Sequence, residues 1–266
     1  MIKTVIIDSI DGVMKLIGEQ GRDDRIGRTR STYYYRGMTD AAYELTTSLR
    51  LNCKQLSAEL EPSILQAFSN YMSNDDPAIK DSVWKQMMIG QHHGLPTRLM
   101  DWTYSPLIAL HFADNAQNLS KLDARDCVVW RIDIRECNAN LPERYKTVLA
   151  RTGKSVFTSD TLVEVAKSVR EYDRDMNGQA FVLVEPPSID QRIVNQYSFF
   201  SVIPSGMEDV GEFLDKNTDS TVRFIIKKEI RWDLRDLLDQ CNVSERILYP
   251  GLDGLSRTLA RHYYVK

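Results

Sequence analysis

The sequence predicts an α+β fold: a helical N-terminal half packed on a mostly antiparallel or mixed, split β-sheet. Three features of the 266 residues lead there. Apolar residues recur at helical spacing mainly in the first half, and β-prone runs crowd the second. The two kinds of segment do not alternate as a doubly wound sheet requires. The chain is long enough to bury a core of its own. One domain is expected over 1–266, with a strand, helix and loop over 1–30, the motif-bearing core over 31–204, and a strand and helices over 205–266.

In order, Lys3 to Asp8 (KTVIID) reads as a short strand and Val13 to Ile17 as a helix. Gly18 to Ser31 is polar and apolar-poor, the signature of an exposed loop. Thr32 to Tyr35 is an aromatic, β-prone strand that Gly37 is expected to stop, leaving Arg36 at a strand end. Ile64, Leu65, Phe68, Tyr71 and Met72 share a helical face, with Pro62 suited to the first turn of a helix from Glu61 to Met72. Val83, Trp84, Met87 and Met88 define a second helix, Ile79 to Ile89, ended by Gly90. Thr97 to Met100 reads as a short strand. Ser105-Pro106 then starts a helix, the serine capping it and the proline at its first position, and LIALHFADNA continues it. Later strands are expected at Cys127 to Ile134, Ala180 to Glu185, Ser198 to Ile203 and Val222 to Ile226. Short helices are expected near Val210 to Leu214 and Leu234 to Leu238. The closing LYPGLDGL reads as a turn and helix with Asp253 as cap.

A formal charge of -3 argues against nucleic-acid binding driven by overall electrostatics. The apolar run in MIKTVIIDSIDGVMKLI is too short, and too interrupted by acids, for a signal peptide. No stretch approaches the roughly 18 apolar residues that span a bilayer. Four cysteines without a C-x-x-C pair suit reduced thiols, so a cytoplasmic location with no membrane partner is expected.

The densest chemistry lies in QHHGLPTRLMDWT, residues 91 to 103. Gly94 and Pro96 hold this segment in non-helical backbone. Arg98 and Asp101 sit beside apolar neighbours, and burial there requires that each be paired or bonded to a ligand. His92, His93 and Asp101 are residue types found in metal sites. Adjacent histidines point apart in extended backbone, however, and zinc needs a third convergent ligand, so no metal is expected. A metal-dependent nuclease built on those three residues stays open as a third reading of the chain. A G-x-S-x-G elbow, a P-loop and a dinucleotide glycine fingerprint are all missing from the sequence.

YYYRG (Tyr33 to Gly37) and GQHHGLPTRLMDWTYSPLIALHFA (Gly90 to Ala113) resemble the FRG domain family, named for its Phe/Tyr-Arg-Gly motif. RIVNQYSFFSVIP (Arg192 to Pro204) looks like the family's Arg...Gln...Phe segment. ILYPGLDGLSRTL (Ile247 to Leu259) looks like its closing motif, so the resemblance spans nearly all of residues 31 to 262. The motif order is also similar to the three-part layout of ADP-ribosyltransferases. It runs from an aromatic-Arg-Gly strand end, through a threonine-bearing strand and a helix with Ala109 and Phe112, to a polar residue opening a late strand.

That second resemblance implies an enzyme using NAD, for transfer or for NAD cleavage, suited to a toxin or antiviral effector in bacterial or phage conflict. It implies catalytic roles for Arg36, His92, His93, Asp101 and Gln196. It implies a cofactor site shaped by Tyr35, Arg36, Gly37, Gln91, Gly94, Thr97, Arg98, Trp102 and Thr103. Arg36 and Arg98 would give forked donors to phosphate or ribose oxygens. Trp102 or Tyr35 would stack on a flat ring, and His92 or His93 would act as donor or general base. Such transferases close with a glutamate, where this chain has Gln196. The missing carboxylate is then expected from Asp101 or Glu185. A reading from another class is a non-catalytic regulatory module that binds a nucleotide or nucleic acid and regulates a protein partner.

Overall fold

A computed structural model describes residues 1–72, 82–115, 118–188 and 191–266. Its strands are β1 (Lys3–Ile7), β2 (Arg22–Asp23), β3 (Arg28–Thr29), β4 (Tyr33–Met38), β5 (Leu99–Thr103), β6 (Cys127–Asp133), β7 (Phe157–Thr158), β8 (Val182–Glu185), β9 (Ser198–Val202) and β10 (Val222–Ile226). Eight of them form one sheet in the order β1-β10-β6-β4-β5-β9-β8-β7. The two outermost pairings, β1 with β10 and β7 with β8, are parallel. Those between them are antiparallel. The expected α+β architecture, helices on a mostly antiparallel, mixed sheet, is the one observed, with helices continuing through the second half as well.

Side-chain alternation along the strands sorts the core. Tyr34, Met100, Trp102, Trp130, Leu183 and Phe199 point to one face and join a single buried cluster with the Val210–Asn217 helix. The opposite face carries two separate clusters. Leu99, Val182, Phe200 and Val202 pack there beneath the Val83–His92 helix and its neighbours. Tyr35, Val129, Phe224 and Ile226 pack beneath the Pro106–Ala113 and Arg231–Gln240 helices. Between these two clusters the sheet is nearly divided, because β4 and β5 pair at one position only, Tyr35 with Thr103.

Several elements differ from expectation for local reasons. The 18–31 segment holds the small antiparallel pair β2–β3, closed through Gly27 at φ 63°. Gly37 does not stop its strand. A Cβ there would lie 1.9 Å from the Ala109 carbonyl oxygen, so the glycine lets the Pro106–Ala113 helix press against β4, which continues to Met38. Gly90 does not end its helix either: the helix runs to His92, His93 caps it, and the chain turns at Gly94, φ 83°. The start expected at Ile79 lies outside the described residues. The helix expected from Glu61 begins at Ser57, leaving Pro62 inside it; the carbonyl deprived of a donor belongs to Ala58, which is exposed to water. β5 begins at Leu99, so Thr97 and Arg98 precede the strand.

Candidate functional site

A cleft of about 860 Å³ opens where β4 parts from β5, within the size range of small-molecule and cofactor sites. β4 supplies Tyr35, Arg36, Gly37 and Met38 to its lining, and β5 supplies Asp101, Trp102 and Thr103. Gln91 arrives from the end of the Val83–His92 helix and Phe112 from the Pro106–Ala113 helix. The Gln191–Gln196 helix contributes Arg192 and Gln196, and β9 contributes Ser198. A loop wall adds Ala42, Tyr43, Glu44 and Thr46, followed by Leu51.

The polar side of the cleft is ordered by a short chain of hydrogen bonds. Thr97 Oγ1 donates to Gln91 Oε1 at 2.7 Å, which fixes the amide so that Gln91 Nε2 donates to Asp101 Oδ2 at 3.0 Å. Arg36 Nη1 donates to the Asp101 backbone oxygen at 2.8 Å and lies 3.5 Å from Oδ2. The Asp101 side chain remains 56% exposed, that of Arg36 only 20%. Arg36 Nε is buried with no partner, and burial lowers the Arg36 pKa against the opposing pull of Asp101. An oriented carboxylate therefore faces the cleft beside a guanidinium whose fork is only partly used.

Of the residues singled out in the sequence, Tyr35, Arg36, Gly37, Gln91, Asp101, Trp102, Thr103 and Gln196 are brought together here. Trp102 is largely core: it is 2% exposed and its Nε1 donates to Ser201 Oγ. Tyr35 is fully buried, its hydroxyl accepts from Gln20 Nε2, and burial pushes its pKa up to about 12. Gln196 Nε2 donates to the Leu248 carbonyl at 2.9 Å, tying its helix to the C-terminal region.

His92, His93, Gly94, Thr97 and Arg98 do not line the cleft. The three extra residues of helix, Gly90 to His92, bring Gln91 to the wall and carry the histidines past it, His92 to the helix end and His93 into the cap. Thr97 acts behind the wall, through Gln91. Arg98 is taken by the protein itself: Nε donates to Glu61 Oε1 at 2.8 Å, a second bond reaches Glu61 Oε2, and Nη1 meets Asp173. Burial disfavours its charge, but the Glu61 and Asp173 bonds outweigh that and raise its pKa. Glu185, the other carboxylate expected, lies at the end of β8, 3.8 Å from Lys154 and outside the cleft. Glu44, Tyr43 and Leu51 join the site without any local sequence signal. Arg192 has one, its four-residue spacing from Gln196 on a helix.

Among the described residues no group of three or more His, Cys, Asp or Glu side chains is placed to hold a metal ion. Nor does any described helix have the length and apolarity to cross a membrane.

The strand-borne arginine followed by a glycine pressed on the next helix, and the Gly90–Ala113 segment that forms the facing wall, fall in one matched stretch. The FRG domain family model covers residues 31–121. The chain carries an FRG domain. That span includes the Arg36 and Asp101 walls of the cleft, whereas Arg192, Gln196 and Ser198 come from beyond it. No curated protein and no solved structure matches the chain.

Proposed function

We propose that the cleft binds NAD and that the protein is an ADP-ribosyltransferase-like enzyme. One observation carries this reading. Arg36 of β4, Thr103 of β5 and Gln196 just ahead of β9 are remote in sequence, yet all line the opening where the sheet divides. In the reaction the bond between ribose C1′ and the nicotinamide nitrogen breaks, and its electron pair leaves with nicotinamide. An acceptor oxygen or nitrogen, from a macromolecule or from water, attacks C1′ and gives up its proton. The positive charge developing at C1′ is stabilised by a negative group held in place beforehand. Asp101, oriented by Gln91 and Arg36 but still open to the cleft, fits that need and can take the acceptor's proton. Arg36 gives paired donors to ribose or phosphate oxygens, and Gln196 orients a ribose hydroxyl.

A second reading, nucleotide binding without turnover, is favoured by Gln196 itself. It brings no charge to the head of β9, and its amide nitrogen is committed to Leu248. Purified protein incubated with NAD, with nicotinamide release followed by chromatography, separates the two. Release that disappears in Arg36→Ala and Asp101→Asn is expected. Saturable thermal stabilisation by NAD with no release supports the binding module. Neither release nor stabilisation would remove both readings.

A further inference from the structure

We infer that Arg192 is a second anion clamp of the cleft, gripping a phosphate of the bound ligand. This rests on the nucleotide reading of the cleft. The sequence points to Arg98 as the partner of Arg36 in holding phosphates, but Arg98 is saturated by Glu61 and Asp173. Arg192 lines the same cleft as Arg36, one helical turn before Gln196.

Its surroundings mark it as unfinished. The interior arginines Arg98, Arg231 and Arg261 each meet a carboxylate: Glu61, Asp114 and Glu245 respectively. Among the described residues Arg192 meets none within ion-pair distance. Its Nε is buried and unpartnered there, and its Nη1 makes a long hydrogen bond, 3.4 Å to the His92 carbonyl. The guanidinium lies over the Tyr249 ring, 4.9 Å from its centre, and Arg257 approaches the same ring at 5.5 Å. Two cations thus share one aromatic ring. A ring quadrupole attracts each of them but does nothing to relieve their mutual repulsion. An incoming phosphate relieves it, and the planar fork of an arginine can present parallel donors to two of its oxygens. Tyr249 is then a positioning residue, brought against Arg192 by the same C-terminal segment that accepts the Gln196 hydrogen bond.

The test is calorimetric titration of the full chain with ADP-ribose, inorganic pyrophosphate and adenosine. It compares the natural protein with Arg192→Gln, Arg192→Lys and Tyr249→Leu, each first shown by circular dichroism to be folded. Arg192→Gln is expected to weaken ADP-ribose and pyrophosphate at least tenfold and to leave adenosine unchanged. Arg192→Lys keeps the charge but loses the fork, and should fall between. Tyr249→Leu should weaken the same two ligands several-fold, and adding Arg192→Lys to it should cost less than Arg192→Lys does alone. ADP-ribose bound equally by all variants, or adenosine weakened as much as ADP-ribose, overturns the clamp and leaves the nucleotide reading intact. Pyrophosphate bound through Arg192 with no binding of ADP-ribose keeps the clamp and removes the nucleotide. If the natural protein binds none of the three, both fall.

Discussion

Replacing Arg98 by methionine tests whether this arginine of the central motif serves the fold or the ligand. Its side chain is 4% exposed, and Glu61 opposite it is 3% exposed. Removing the cation leaves Glu61 charged and dry, while Asp173 keeps the Ser205 backbone N–H and hydroxyl as donors. Breaking a buried ion pair from one side costs about 3–5 kcal/mol, because the stranded charge is not resolvated. For a chain of this size that corresponds to a fall in Tm of roughly 6–20 °C. The assay is urea and thermal unfolding followed by circular dichroism at neutral pH. Adding Glu61→Leu to Arg98→Met should recover most of the loss, since an apolar replacement of the whole pair is near neutral. A loss below about 1 kcal/mol, the range of exposed ion pairs, would refute the structural role. So would a double variant no more stable than the single one.

Two further outcomes follow from packing and protonation. Gly37→Ala places a Cβ 1.9 Å from the Ala109 oxygen and 2.5 Å from the Ala113 nitrogen; because both are backbone atoms, the helix must move. The expected loss is about 3 kcal/mol in unfolding measurements, and an unchanged Tm would contradict the close approach. His111 is fully buried, its Nδ1 faces Arg235 Nη1 at 2.9 Å, and burial followed by Arg235 pulls its pKa down to about 3. Facing it from neighbouring elements are also Glu245, Arg261 and Asp239. The folded protein therefore keeps this imidazole neutral while the unfolded chain protonates it near pH 6.5. Stability is full above that pH and falls as pH drops toward 3, by up to about 1.4 kcal/mol per pH unit. Burial works to raise the Glu245 pKa, but Arg261 outweighs it and holds the group at about 2, which steepens the loss below about pH 4.5. Chemical unfolding at a series of pH values should show both slopes, and His111→Gln should erase the upper one.

Local chemistry makes most of the sheet legible in the sequence. Val222–Ile226 and Ser198–Val202 are β-prone runs whose strands form as the residues suggest, and Ser105-Pro106 caps and starts its helix as written. Helices such as Glu143–Thr152 and Val169–Met176 escape a reading of the sequence, because their apolar faces are narrow and their stability comes from burying their own Tyr145 and Tyr172 in the core. In the site, the dense motifs around Arg36, Asp101 and Gln196 point to all three. The positions of the histidines and Arg98 depend instead on where a helix stops and on Glu61 and Asp173, which lie far off in the chain. Glu44 and Tyr43 sit in a loop whose sequence says nothing of the wall it will form.

The single residue pair that joins β4 to β5 has a consequence for how such a site can change over time. The backbone ladder contributes little to the width of the gap at that seam, which depends on the packing of Tyr34, Met100 and Trp130, buried residues that do not line it. A methylene gained or lost in that layer would tilt one half of the sheet against the other while every residue facing the ligand kept its identity. Selection can therefore retune what the opening admits through substitutions that never touch it. Two chains with the same arginine, aspartate and glutamine around the gap can differ in what they accept because of aromatic rings buried behind it.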